Sequence, residues 1–192
     1  MTLDEGTADT SVLMTDRLII RPVTLADAEA IFKFKSDKEV TDQYGQVPHR
    51  GIDETRAWIA RSISDGEEGR SFAWSICMRD EDEVIGECCL WNFDGDRLCA
   101  EIGYELRRDR WRNGFMKEAL TALISYGFGV LGLHRIEANP LGCNNASRRL
   151  LLDLGFVHEG TLRERVRFGG RFVDQMYYGL LQNEWMPCND RP

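Results

Sequence analysis

Between positions 71 and 106 the sequence sets down three strand-like runs in succession, over 71–78, 84–92 and 98–106. Only short acidic turns, 80–83 and 93–97, separate them, so they read as a consecutive antiparallel meander. An alternating run over 17–23 supplies an earlier strand. Thr24 then caps a helix over 25–37 with Ala28, Ile31, Phe32 and Lys35 at helical spacing. A second amphipathic helix starts near Asp53, carries Trp58, Ile59 and Ile63 on one face, and stops at Gly66. After the meander come a helix over 114–130 striped by Leu120, Leu123, Ile124 and Leu131, and a short strand over 134–139 ended by Pro140. A helix over 145–154 follows, closed by Gly155, and then a hairpin of 157–168 and 171–181 around Gly169 and Gly170. The order β-α-α-β-β-β-α-β-α-β-β predicts an α+β domain on a mixed sheet.

The 192 residues suffice for one domain with a sizeable core, and 43% hydrophobic with 29% charged residues is a globular composition. We expect a leader over 1–13, a domain over 14–186 and a tail over 187–192. No run has the roughly 18 apolar residues of a membrane span. The acidic, polar start lacks the pattern of a signal peptide, so a cytoplasmic protein with no membrane partner is expected. Six cysteines (Cys77, Cys88, Cys89, Cys99, Cys143, Cys188) form no Cys-x-x-Cys pair, and the three histidines are not spaced as ligands. Reduced thiols acting as small hydrophobes and no metal are therefore expected. A net charge of −8 argues against nucleic acid and for a basic partner or a cationic amine.

Two stretches carry chemistry. In the first, a strand ending Glu101-Ile102-Gly103-Tyr104-Glu105-Leu106 runs through an arginine-rich loop into Trp111-Arg112-Asn113-Gly114-Phe115-Met116 at a helix start. Free N–H groups and the helix dipole there suit a phosphate, Gly114 permits close approach, and Arg110 and Arg112 add positive charge. In the second, Asn144 and Ser147 open a helix that ends at Leu154-Gly155-Phe156. Asn and Ser are ordinary helix caps, so each alone says little.

Together the two stretches resemble the GNAT superfamily of acyl-CoA N-acyltransferases. The branch they are most similar to holds the ribosomal-protein N-terminal acetyltransferases and related small-amine enzymes. The likeness runs from about Arg17 to Trp185. It includes Arg17 to Pro22, Ala100 to Tyr104, Trp111 to Glu118, His134 to Ala138, Asn144 and Ser147, Gly155-Phe156, Asp174 and Tyr178 to Leu181. The resemblance implies a single-domain fold with a mixed, mostly antiparallel sheet, helices on both faces, and a splay between the fourth and fifth strands. It implies acetyl-CoA as co-substrate, its pyrophosphate on Trp111 to Met116 and its pantetheine along the main chain of Tyr104 to Leu106. Asn144 would orient the cofactor.

The acceptor implied is an amine, either a peptide N-terminus or a small molecule, with a non-catalytic acyl-CoA-binding regulatory protein as the alternative, and a homodimer is compatible with the family. A lysine amine is neutral roughly 0.04% of the time at pH 7 against about 10–15% for an α-amine, so a general base matters most for the former. Glu101 is the candidate base, with Glu105, two residues on and facing the same side, as its rival. Backbone N–H groups near Gly103 and Tyr104 are candidates for the oxyanion. Relatives place a tyrosine where this chain has Leu151, which passes the role of acid for the thiolate to Ser147 or leaves it to solvent. His49, with Tyr44 and Arg50, is expected near the substrate entrance. Asp174 is expected either to line the acceptor pocket or to pair with an arginine.

Overall fold

The computed structural model describes residues 11–81 and 83–186. Its sheet has eight strands in the order β1-β2-β3-β4-β5-β6-β8-β7. They are β1 (Leu13–Met14), β2 (Leu18–Pro22), β3 (Phe72–Met78), β4 (Val84–Trp91), β5 (Cys99–Leu106), β6 (Arg135–Ala138), β7 (Val157–Phe168) and β8 (Arg171–Leu181). The meander expected over 71–106 is β3, β4 and β5, each pair antiparallel. The helices are α1 (Ala28–Lys35), α2 (Lys38–Thr41), α3 (Ile52–Glu67), α4 (Phe115–Gly129) and α5 (Asn145–Leu154). α4 is the crossover that makes β5 and β6 the one parallel neighbour pair in the sheet.

Leu13 and Met14 pair with Ile20 and Ile19, and the Ser11 carbonyl accepts from the Trp74 indole. The fold therefore begins before Met14; the rest of the expected leader, and the tail over 187–192, lie outside the described residues. The single helix expected over 25–37 is interrupted. α1 ends at Ser36, whose hydroxyl bonds the Phe32 carbonyl, and the Asp37 side chain accepts from Glu39 N–H to start α2. Short polar side chains that bond the local backbone end helices in this way. The buried residues of α1 are Ala28, Ile31, Phe34 and Lys35, with Phe34 in the place expected for Phe32.

The sheet separates two apolar clusters. One lies under α4 and α5 and includes Trp74, Leu90, Ile102, Leu120, Leu123 and Ile136. The other lies under α1, α2 and α3 and includes Ile31, Phe34, Val40 and Ile59. Cys77, Cys88, Cys89, Cys99 and Cys143 are free thiols, the first four inside strands; Cys188 lies outside the described residues.

The meander tolerates little bulk where β4 meets β5. A Cβ at Gly86 would stand 2.5 Å from the Glu105 carbonyl oxygen and 2.8 Å from Leu106 Cδ1. Gly86→Ala should cost about 1–3 kcal/mol in urea unfolding, the usual effect of overpacking. Gly160→Ala, where nothing lies within 4 Å, should stay within about 0.5 kcal/mol.

Candidate active site

β5 and β6 share three rungs, Cys99 with Arg135, Ala100 with Ile136 and Glu101 with Glu137. Beyond Glu101 they part, because β6 ends before Pro140, whose carbonyl accepts from Met176 N–H and turns the chain toward β8. Arg107 N–H bonds Ile85 O on the β4 side, whereas Leu98 O bonds His134 and Arg135 on the β6 side. Strand alternation then directs the main-chain groups of the even-numbered residues, Tyr104 and Leu106 among them, into the gap. Gly103, being odd, faces β4, so Tyr104 N–H is the donor available in the gap. The carbonyl of Leu106 is already used, accepting from the Trp111 indole at 2.7 Å.

The loop that follows is braced at several points. Asn113 Nδ2 donates to the carbonyls of Arg110 and Trp111, and Arg17 Nη1 donates to the carbonyl of Asn113. Arg17 also pairs with Glu118 and lies 4.5 Å above the Phe115 ring, fixing the first turn of α4 from outside. Arg112 and Gly114 have φ of 62° and 79°, which turns the backbone of Arg112, Asn113 and Gly114 outward. Among the described residues, these three N–H groups have no backbone partner. Phe115 is buried and Met116 half-buried, anchoring the helix start. An exposed concavity of free N–H groups at a helix N-terminus fits a diphosphate. Arg112 is exposed beside it, whereas Arg110 is engaged by Glu83 at 2.7 Å.

Ser147 is buried in the first turn of α5, its hydroxyl 2.8 Å from that of Tyr104. Burial pushes the Tyr104 phenol up to about 12, keeping it protonated. A tyrosine hydroxyl thus meets Ser147 from β5, while α5 has Leu151 where relatives place a tyrosine. Asn144 caps α5, its Oδ1 accepting from Ser147 N–H at 2.9 Å, while its Nδ2 donates to Gln43 O at 2.9 Å. Both ends of that amide are committed to the protein itself.

On the opposite face of β5, Glu101 is half-buried, and the Asn139 and Asn92 side chains beside it favour its ionised form. Desolvation is the largest influence on it and raises its pKa, aided by Glu137 and opposed by the two amides. The buried Asn139 Oδ1 has no partner among the described residues. Glu105, the rival base, is buried in an ionic cluster. Lys35 contacts both Glu87 and Glu105 and lies 3.8 Å above the Trp58 ring, and Tyr44 donates to Glu105. Lys35 and the hydrogen bonds hold Glu105 below its ordinary value against the opposing effect of burial. His49 bonds Thr55 and joins the edge of this cluster. Tyr44 and His49 are thus both engaged by side chains of the protein itself. Sequence reasoning missed Asn92 and Asn139; the signal available was two asparagines at the ends of strands flanking Glu101.

The family model described as "Acetyltransferase (GNAT) domain" matches residues 17–157. This chain belongs to the GNAT acetyltransferase family. It is similar to YoaA of Bacillus subtilis, an uncharacterized N-acetyltransferase, at 40% identity over 89% of this chain and 97% of that one. It is 29% identical to the ribosomal protein uS5-alanine N-acetyltransferase of Escherichia coli over 91% of this chain and 93% of that one. Its fold matches that of RimL, a ribosomal alpha-N-protein acetyltransferase in complex with coenzyme A. That likeness has a TM-score of 0.82 at 20% identity and covers 89% of this chain and 98% of RimL. The chain is thus an N-acetyltransferase with the expected GNAT fold. No helix among the described residues is long and apolar enough to cross a membrane.

The ionic cluster gives the GNAT domain a pH signature. Burial and the neighbouring Glu105 push Glu87 well above the ordinary value of 4.5. In that window the folded protein binds a proton that the unfolded chain has released, so stability falls as pH rises from about 4.5 and levels off above the raised value. Glu87→Gln should flatten this slope in urea unfolding between pH 5 and 9, gaining on the parent protein at the alkaline end.

Proposed function

We propose that this GNAT protein transfers the acetyl group of acetyl-CoA to the α-amine of a protein or peptide, by direct attack in a ternary complex. The observation that carries the reading is the pairing of opposite functions across β5. A carboxylate with a raised pKa lies on one face, and a hydrogen-bonded pair of hydroxyls on the other, with the gap between them. The near full-length relative that acetylates an alanine of ribosomal protein uS5 supports the choice of acceptor. An α-amine, neutral about 10–15% of the time at pH 7, also asks less of the base than a lysine would.

In this reading the N–H groups of Arg112, Asn113 and Gly114 bind the pyrophosphate, with Trp111, Phe115 and Met116 shaping the loop. The pantetheine arm pairs with Tyr104 in the manner of an added strand. The loop that the Asn144 amide secures at Gln43 borders the same gap. Glu101, directly or through water, takes the proton released as the amine nitrogen bonds the thioester carbon. Asn139 holds Glu101 through Nδ2 and presents Oδ1 to a remaining N–H of the amine. Tyr104 N–H receives the oxyanion. Collapse breaks the carbon–sulfur bond, and Ser147, supplied through the Tyr104 phenol, protonates the departing thiolate. The cytoplasm, where thiols remain reduced, is the setting we assign.

Titration with acetyl-CoA followed by a thiol-release assay on alanine- and serine-led peptides tests this reading. Glu101→Gln should lower kcat by about a hundredfold, the lower end of general-base effects. It should also remove the Glu101 inflection from the kcat/KM profile, leaving the acidic limb set by the amine's own pKa of about 7.7–8.0. Ser147→Ala should lower kcat with little change in acetyl-CoA affinity. Undiminished turnover in the Glu101→Gln, Ser147→Ala double variant would overturn the mechanism. Gly114→Val forces a β-branched residue into φ of 79° and should weaken acetyl-CoA binding at least tenfold.

A further inference from the structure

Four arginines, Arg163, Arg165, Arg167 and Arg171, crowd into the outer half of the β7–β8 hairpin, against two carboxylates there, Glu164 and Asp174. All four are exposed, and among the described residues none has an ion-pair partner or an aromatic ring beneath it. Several other arginines of the sheet and its loops are paired, Arg21 with Asp27, Arg107 and Arg110 with Glu83, and Arg135 with Glu137 and Glu159. An uncompensated basic segment in a chain of charge −8 is a local field of the opposite sign.

The backbone gives this segment a concave shape. Leu162 pairs with Gln175 and Val166 with Val173, so Arg163, Glu164 and Arg165 stand opposite Asp174 alone. The bulge is held by Glu164, at φ of 54°, whose N–H donates to Asp174 Oδ1 at 2.9 Å. It opens a groove of about 810 Å³ lined by Thr161, Leu162, Arg163, Glu164, Arg165 and Asp174. Asp174 thus serves the turn rather than an arginine.

The groove is tied to the gap through a short chain of contacts. Gln175 Nε2 donates to the Asn139 carbonyl, Leu141 bridges to Gln175, and the Asn139 amide reaches Glu101. Arg171 lies four residues along β8 from Gln175, or about 13 Å at the rise of a strand. Phe168, which pairs with Arg171 in the ladder, is close to Gly45, where a Cβ would sit 3.7 Å from its ring.

We propose that this hairpin is a docking surface for an acidic polypeptide acceptor, whose amine sits at Glu101 and whose carboxylates, three to six residues in, meet the groove arginines. The inference rests on the peptide-acceptor reading above. Three arginines on β7 and one on β8 of an acidic protein suit a short run of Asp and Glu better than a nucleic-acid backbone, which the rest of the surface repels.

The test uses the full chain with acetyl-CoA and alanine-led twelve-residue peptides that differ only at positions 3–6, carrying Asp and Glu, Ser, or Lys. The parent protein should show kcat/KM at least tenfold higher for the acidic peptide than for the lysine peptide, with the gap shrinking in 0.5 M salt. The Arg163→Glu, Arg165→Glu double variant should reverse the preference, and Arg163→Gln, Arg165→Gln should abolish it. Acetyl-CoA affinity and the circular dichroism spectrum should be unchanged in both. Equal rates for all three peptides, or a faster lysine peptide, would overturn the docking surface while leaving the peptide-acceptor reading intact. Acetylation of spermidine but of no peptide would overturn both. Competition by RNA that the charge reversal relieves, with no preference among peptides, would reassign the arginines to nucleic acid.

Discussion

The parting of β5 from β6 organises the rest of the molecule. Parallel strands joined by a crossover helix would ordinarily pair along their whole length, and here the pairing stops at Glu101 and Glu137. The cause is local and covalent. Pro140 has no N–H to extend the ladder, and its carbonyl is taken by Met176, which commits the chain to β8. The even-numbered main-chain groups of β5 are therefore left facing a gap inside the sheet, and buried backbone groups without partners are costly. Each neighbouring feature meets that gap: Trp111 satisfies Leu106 O, α4 begins at its far end, and Tyr104 leaves a donor in its middle.

The same alternation that creates the gap distributes its chemistry. Glu101 and Glu105 share a face of β5, yet their environments differ. Glu105 lies over the second apolar cluster and is compensated by Lys35, so its charge is held in place. Glu101 lies where the sheet opens and has only amide donors, so desolvation dominates. Proximity in sequence made the two look equivalent, and the distinction comes from a lysine supplied by α1, 70 residues away. The cluster is also a structural commitment. A buried ion pair is weak evidence for stability, but removing one member strands the other.

Much of the fold was legible in the sequence because the strand and helix periods are clean and the turns carry glycine, proline and acidic residues. Helix α5 and both arms of the hairpin fall where periodicity put them. The short helix α2 follows α1 because Ser36 and Asp37 bond the local backbone, an effect that apolar spacing does not register. The outward turn at Arg112 to Gly114 follows from a loop that carries a glycine into a helix start. That Arg110 is bound by Glu83 was not, since the pairing depends on two turns that meet only in the folded sheet. The Tyr104–Ser147 contact spans 43 residues, and nothing in either segment alone announces it.

Net charge misleads at the acceptor side for a related reason. A value of −8 describes a sum over the chain, whereas a substrate meets the field of the surface in front of it. Carboxylates in this protein are largely engaged where arginines lie next to them, as at Glu83, Glu118 and Glu159. Engaged pairs contribute little field at a distance, and within salt the remainder is screened over about 8–10 Å. What a docking peptide senses is therefore the residue that has no partner. On the hairpin the unpaired arginines outnumber the one unpaired glutamate, Glu164, and the bulge that displaces Arg163 and Arg165 from the ladder keeps them clear of the strand that could have neutralised them.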